Sequence, residues 1–319
     1  MIKVDLVTGF LGSGKTTFIK EYAKYLVGRG ERVAIIVNDY GAINVDRLLL
    51  GEALGDSCHL EMVIGGDKDC SRRRLKTKLI SMAMIGYTYV IVEPSGIFDV
   101  DDFLDMLYEE PLERWYEMNS ILAIVAADTS FKDMSDAARY ILASETAKAG
   151  AVILGRLPEK IDEETSHKLA DSIKECINDC LKMFNCSRQI NDIYLWNRGK
   201  LSDDTAQQIS HSRYTSGEML HLPDVEEAFD SYFYFHVKTD ISHIKETIAS
   251  IFQDEEAGNV IRLKGFLSDT DGSWLEVNAT RSGVSVEPVG TGQELFIVIG
   301  ENLQFEKIGA YWESFRNGL

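Results

Sequence analysis

The chain has 319 residues, 45% of them hydrophobic, with a formal net charge of −18 and five cysteines. That length suits two domains rather than one core, and the acidity argues against nucleic acid or an anionic membrane as general partners, because both would be repelled. Cys58, Cys70, Cys176, Cys180 and Cys186 form no regular framework, so they read as reduced thiols in a cytoplasm.

Ile2 to Val7 is short, apolar and rich in β-branched residues, which predicts a buried strand. No signal peptide is expected, because this strand-like run starts at once and a phosphate motif follows at Gly9. Gly9-Phe10-Leu11-Gly12-Ser13-Gly14-Lys15-Thr16 fits G-x-x-x-x-G-K-[ST], and Thr17 completes it. The glycines let several backbone N–H groups converge on one anion. The helix that follows, Lys15 to Val27, adds its positive end. Lys15 is the point charge for the β- and γ-phosphates, and Thr16 supplies a hydroxyl for Mg²⁺. A small-molecule kinase could use the same loop, so the loop alone does not name the reaction.

Val33 to Val37 is a second predicted strand, followed by Asn38-Asp39-Tyr40-Gly41 and Asp46. Asp46 falls where a segment sensing the γ-phosphate would lie, and could serve the Mg²⁺ shell or the attacking water; a helix cap or turn aspartate is the alternative. Ser71 to Ile85 reads as a helix. Its Arg72, Arg73, Arg74, Lys76 and Lys78 read as a solvated face, with an acidic partner or a phosphate contact as the sharper alternative. Tyr89 to Val92 is a strand that ends in Glu93, with Gly96 three residues later. A carboxylate there can hold Mg²⁺ directly or through water, and the Gly96 N–H can approach a γ-phosphate. An acidic strand end facing solvent is the alternative.

Ile121 to Ala126 and Ala151 to Leu154 are further strands, with helices over Asp133 to Lys148 and Glu163 to Met183. The longest apolar run, Ile121 to Ala127, is far below the roughly 18 residues of a membrane span. Strands alternating with helices predict an α/β domain with a mainly parallel sheet over residues 1–200. Leu201 to Glu226 is polar and irregular, giving a linker over 201–228. Strand-like runs at Ser231–Val237, Val260–Phe266, Ser273–Asn278, Gly283–Val286 and Leu295–Ile299, with helices at Ile241–Phe252 and Asn302–Phe315, predict a smaller α+β domain over 229–319. Cys176 and Cys180 lie one helical turn apart, a spacing open to a metal but also common for small buried hydrophobes.

Together these strings resemble the CobW/HypB/UreG class of P-loop GTPases, and the CobW branch most closely. The matching pieces are Gly9 to Thr17, Asn38-Asp-Tyr-Gly41 with Asp46, and Glu93-Pro-Ser-Gly96, while Arg262-Leu-Lys-Gly-Phe-Leu267 looks like the CobW C-terminal domain. The resemblance implies a P-loop domain followed by a CobW C-terminal-like domain. It also implies a Mg²⁺-dependent GTPase that helps deliver or insert a metal, or a cofactor such as a corrinoid, into a client metalloprotein. Dimerisation across the nucleotide is implied by the same resemblance. Two alternatives stay open: a non-catalytic nucleotide-dependent binding module, and a kinase.

The sequence departs from the family at the other ends of the site. Where CobW proteins carry Cys-x-Cys-Cys, this chain has Asp67-Lys68-Asp69-Cys70. Carboxylates are harder ligands than thiolates, so Asp67, Asp69 and Cys70 suit a harder cation or a plain polar loop. Family members often carry an acidic residue where this chain has Ala42. The guanine-reading Asn/Thr-Lys-x-Asp is replaced by Gly155-Arg156-Leu157-Pro158. Proline cannot accept hydrogen bonds from guanine through a carboxylate. Arg156 can still stack on a base, so GTP is expected by family and ATP stays open.

Overall fold

The computed structural model describes residues 1–39, 58–64, 68–94, 100–158, 160–197, 199, 201–222, 225–269 and 272–317. The chain divides into two compact units, Met1–Pro223 and Asp224–Leu319.

The first unit carries a seven-stranded sheet in the order β3-β2-β4-β1-β5-β6-β7. Its strands are β1 (Ile2–Thr8), β2 (Val33–Asp39), β3 (His59–Ile64), β4 (Tyr89–Glu93), β5 (Tyr116–Ala126), β6 (Ala151–Gly155) and β7 (Tyr194–Leu195), and every pairing is parallel. β4 and β6 are buried along their whole length, as expected of continuous apolar runs in a sheet covered on both faces. β3 and β7 were not foreseen from the sequence. β3 mixes two polar residues, His59 and Glu61, with four apolar ones at a sheet edge, and β7 is only two residues long.

The helices are α1 (Lys15–Gly28), α2 (Lys68–Ile85), α3 (Val100–Leu107), α4 (Asp136–Ala147), α5 (Glu163–Met183) and α6 (Asp203–Ile209). α4 starts at Asp136 rather than Asp133 because the Ser135 side chain accepts from the Ala138 N–H and fixes the first turn there. On α1, Phe18, Ile19, Tyr22 and Ala23 are fully buried against Val7, Ile35, Ile91 and Ile124 of the sheet. Each large side chain so placed contributes roughly 1.5–3 kcal/mol. One polar network lies inside this core. Asp5 accepts from the Tyr22 hydroxyl at 2.6 Å, the Tyr89 hydroxyl at 2.6 Å, the Asn119 amide at 2.8 Å and the Ser120 N–H at 2.9 Å. It ties α1, β4 and β5 to the strand that leads into the phosphate loop.

The stretch expected as an irregular linker needs correcting over residues 201–222, which belong to the first unit. Ser202 caps α6 by accepting from the Thr205 N–H, α6 buries Ala206 and Ile209, and Tyr214 bridges Ala149. The local polarity hid a helix with one short apolar face.

The second unit is a six-stranded antiparallel sheet in the order β11-β10-β9-β12-β8-β13. Its strands are β8 (Asp230–Lys238), β9 (Asn259–Ser268), β10 (Trp274–Thr280), β11 (Gly283–Val289), β12 (Leu295–Glu301) and β13 (Ser314–Asn317), with helices α7 (Ile244–Gln253) and α8 (Phe305–Gly309). The expected closing helix Asn302–Phe315 is therefore wrong beyond Gly309. Phe315 packs on the Gly309 backbone and on the Tyr234 ring, 5.1 Å between centroids, and Ser314 to Asn317 pair with β8. Aromatic side chains that pack across a pleated surface favour strand over helix there.

Candidate functional site

In a parallel sheet the carboxyl ends of neighbouring strands lie side by side, and loops from those ends form the crevice where ligands bind. β1 is central, between β4 and β5. The Gly9–Thr16 loop leaves the end of β1, and Glu93 closes β4. Two of the three residues expected to serve Mg²⁺ meet: the Thr16 hydroxyl donates to Glu93 Oε1 at 2.8 Å across 77 residues of sequence. A hydroxyl and a carboxylate are hard oxygen donors, a set that fits Mg²⁺ rather than a soft metal.

Backbone shape confirms the need for glycine at the loop's start. Gly9 has φ +149°, and a Cβ there would lie 2.3 Å from the Ile124 carbonyl oxygen. At the other end Gly14 is the N-cap of α1 with φ 100°, and no side chain caps the helix. α4, α5 and α6 are each capped by Ser135, Asp162 or Ser202. No side-chain cap thus takes up the first N–H groups of α1, the arrangement that suits a phosphate at a helix start. Leu11, Ser13 and Lys15 are buried, and Lys15 Nζ donates to the Gly9 carbonyl at 2.5 Å. Gly12 accepts from Arg156, and Thr17 lies in the first turn of α1.

Arg156 takes a left-handed φ of 55° just after β6. Its guanidinium donates to the Gly12 carbonyl at 3.1 Å and lies 3.6 Å from Asp128. The side chain thus ties the residue after β6 to the phosphate loop. Asp46, Asp67 and Gly96 lie outside the described residues. Asp69 and Cys70 fall in α2, and their side chains are likewise outside. Among the described residues no group of three His, Cys, Asp or Glu is arranged to hold a metal. Burial pushes the Cys180 thiol up to about 11, which suits the small-hydrophobe reading.

Three of the five basic residues of α2 find acidic partners on the same unit. Arg72 and Lys76 reach Glu109 at 2.5 and 2.7 Å, and Lys78 reaches Glu61 at 2.7 Å. No helix among the described residues is long and apolar enough to cross a membrane.

Three residues around the loop escaped the sequence reading. Trp196 is buried, stands edge-on to Phe18 at 5.3 Å, and lies so close to Gly155 that a Cβ there would be 2.9 Å from its ring. Glu21 on α1 accepts from the Trp196 indole N–H at 3.0 Å, the Leu201 N–H at 3.0 Å and the Gly199 N–H. Glu145 on α4 is fully buried, facing Thr8, Gly9 and Lys15. Burial pushes its carboxyl up to about 8, against the lowering influence of Lys15. The signal was present: Glu145 follows Ile141 and Leu142 at i+4 and i+3, which puts a carboxylate on an apolar helix face.

The sequence pattern of the CobW/HypB/UreG nucleotide-binding domain matches residues 3–185, more than half of the 319. The chain belongs to the CobW/HypB/UreG family. Its match to the curated "Zinc chaperone YeiR" of Escherichia coli is 28% identical over 158 residues, 46% of this chain and 47% of that protein. "Zinc chaperone YjiA" of the same organism is 25% identical over 175 residues, 52% and 53% of the two chains. The chain thus spans about half the length of these two relatives. "Zinc-regulated GTPase metalloprotein activator 1" of Schizosaccharomyces pombe aligns over 95% of this chain and 83% of that one, at 21% identity. The CobW/HypB/UreG match covers the phosphate loop, Glu93, Glu145 and Arg156, and ends before Trp196.

Proposed function

We propose that this chain is a Mg²⁺-dependent nucleoside triphosphatase whose cycle delivers or inserts a metal, or a metal-containing cofactor, into a client protein. The observation that carries it is the Thr16–Glu93 contact at the foot of an uncapped helix, beside a buried lysine. Lys15 stabilises charge on the transferred phosphoryl group, the loop N–H groups hold the phosphates, and Thr16 with Glu93 hold the cation. Asp46 and Gly96 are assigned to sensing the γ-phosphate, as the family resemblance implies. Hydrolysis drives a conformational change rather than making a product for its own sake.

GTP is the first substrate to test, on the family resemblance. ATP is the second, because Pro158 stands where a base-reading aspartate is expected and Arg156 offers stacking without base selection. The names of the relatives make zinc the first cargo to test, with cobalt or a corrinoid next. Asp67, Asp69 and Cys70 are the proposed second cation site. A cytoplasmic location, a client metalloprotein and a dimer across the nucleotide complete the reading, with the second unit serving as a CobW C-terminal-like domain.

Calorimetry with Mg²⁺ and non-hydrolysable GTP and ATP analogues tests it directly. Lys15→Ala should weaken binding by about 10- to 150-fold, from roughly 1.5–3 kcal/mol for a hydrogen bond to a charged group. Unchanged affinity overturns the assignment. Phosphate release measured with GTP and ATP, with and without Zn²⁺, Co²⁺ and a corrinoid, then separates a hydrolase from a binding module.

A further inference from the structure

Gly14, Phe18 and Glu21 are spaced four and three residues apart, so the N-cap of α1 and two of its side chains share one stripe of the helix. The Trp196 side chain runs along that stripe. A Cβ on Gly14 would lie 3.7 Å from its six-membered ring, Phe18 stands edge-on to it at 5.3 Å, and the Glu21 carboxylate accepts its indole N–H at 3.0 Å. The same ring abuts Gly155, where a Cβ would be 2.9 Å from it and 3.6 Å from the Ser13 carbonyl oxygen of the phosphate loop. The Trp196 backbone N–H donates to the Leu154 carbonyl at 2.9 Å, just past the two-residue β7. Beyond that point Glu21 takes over: its carboxylate also accepts from the Leu201 N–H at 3.0 Å and from the Gly199 N–H. One carboxylate on α1 thus brackets the chain on both sides of Gly199 and aims the indole at the start of its own helix.

We propose that Glu21 is a positioning residue of the phosphate site: acting through Trp196, it fixes the Gly14 corner where the phosphate loop turns into α1, and so keeps the first N–H groups of the helix in place for the anion. This rests on the triphosphate reading above. Seven residues at 1.5 Å each put Glu21 about 10 Å along the axis from Gly14, too far to touch a phosphate held at the loop. Its effect must pass through the ring. Gly14 has no side chain to anchor it and the widest conformational freedom of any residue. The ring beneath it supplies the missing contact. Hydrogen bonds to an ionised group are about twice as strong as neutral ones, so a carboxylate with three N–H donors is a firm point of attachment. Order imposed on the loop before the anion arrives is order that binding need not impose, and it appears as affinity.

Coupling of this kind is reciprocal. If the bracket steadies the loop for the anion, the anion must steady the bracket by a similar factor.

The probe is inorganic tripolyphosphate with Mg²⁺, which has no base or sugar to touch the chain after β7. In calorimetry Glu21→Gln, which leaves one oxygen for three donors, should bind it at least about fivefold more weakly, the low end of coupling between linked sites. Hydrogen exchange gives the readout that a merely structural role would not move. Saturating tripolyphosphate should slow exchange of the Trp196 indole N–H and the Leu201 amide in the wild-type chain by at least about fivefold. Isotope labelling of tryptophan shows the four indoles, and Trp196→Phe assigns the one required. A smaller loss of affinity in Glu21→Gln, or wild-type exchange that ignores the anion, overturns the proposal. A loss seen with GTP or ATP analogues but not with tripolyphosphate also overturns it, because the bracket would then serve the nucleoside end. If Glu21→Gln does not fold, the wild-type exchange decides alone. A wild-type chain that binds neither tripolyphosphate nor nucleotide overturns the parent reading as well, which separates the two failures.

Discussion

Replacing Asp5 separates the cost of a buried charge from the value of its hydrogen bonds. Asp5 is fully buried, and burial pushes its carboxyl up from 3.8 to about 6 although four donors pull it down. The shift of about 2 units corresponds to about 3 kcal/mol. Because the folded value is the higher one, that contribution is fully present below pH 3.8 and is lost as pH rises through about 6. Asp5→Asn cannot ionise. Its oxygen can still accept from Asn119 and Ser120, and its amide can donate to the Tyr22 and Tyr89 hydroxyls, which are free to rotate. Asp5→Asn should therefore match or exceed the wild-type stability at neutral pH, by up to about 3 kcal/mol. It should also lack the wild-type loss between about pH 4 and about pH 6. Asp5→Ala should cost about 2–4 kcal/mol, from a cavity and the orphaned Ser120 N–H. Asn119 is spared, since it also donates to the Ser210 carbonyl at 2.9 Å and the Tyr89 hydroxyl at 2.9 Å. Urea titrations at a series of pH values read all three proteins. An Asp5→Asn chain that keeps the wild-type pH slope, or is weaker than Asp5→Ala, would show that the buried Asp5 charge does not set the pH dependence.

Gly155→Ala should cost about 1–3 kcal/mol and shift the Trp196 fluorescence, because the new methyl would sit 2.9 Å from the indole ring and force it to move; an unchanged spectrum and melting temperature would count against the packing described. Since the same ring lies under Gly14, a Cβ there being 3.7 Å from it, triphosphate affinity should fall too. In the second unit, Lys264 lies 3.6 Å from Glu276, and both are buried. Lys264→Met should cost about 3–5 kcal/mol, because it leaves the Glu276 carboxylate the Asn278 amide at 2.8 Å but removes its cation, and adding Glu276→Leu should recover most of it. A double mutant as unstable as the single one would contradict that account, as read by chemical denaturation.

The parts of the site that were legible in the sequence are contiguous. The Gly9–Thr16 string carries its own backbone requirements and its own lysine and threonine, so its chemistry can be read without knowing what lies beside it. Glu93 was legible because a polar residue ending a wholly apolar strand marks a strand tip. The alternation of strands and helices announced a parallel sheet, since each helix needs an apolar run to cover. Local reading failed where local polarity misled. Residues 203–209 are polar on average yet bury Ala206 and Ile209, and the aromatic tail Tyr311–Phe315 packs on a sheet instead of extending a helix.

What the sequence determined by itself was the kind of chemistry, because phosphate recognition depends on backbone conformation and on one short run of side chains. What the tertiary structure decided was company. The strand order put Glu93 within 2.8 Å of Thr16, set Trp196 against Gly155, and slid Glu145 beneath the loop beside Lys15. Those neighbours lie far apart in the chain, so no local pattern encodes them. They meet because parallel strands align their carboxyl ends, and because burying the apolar faces of α1 and α4 leaves those side chains nowhere else to go.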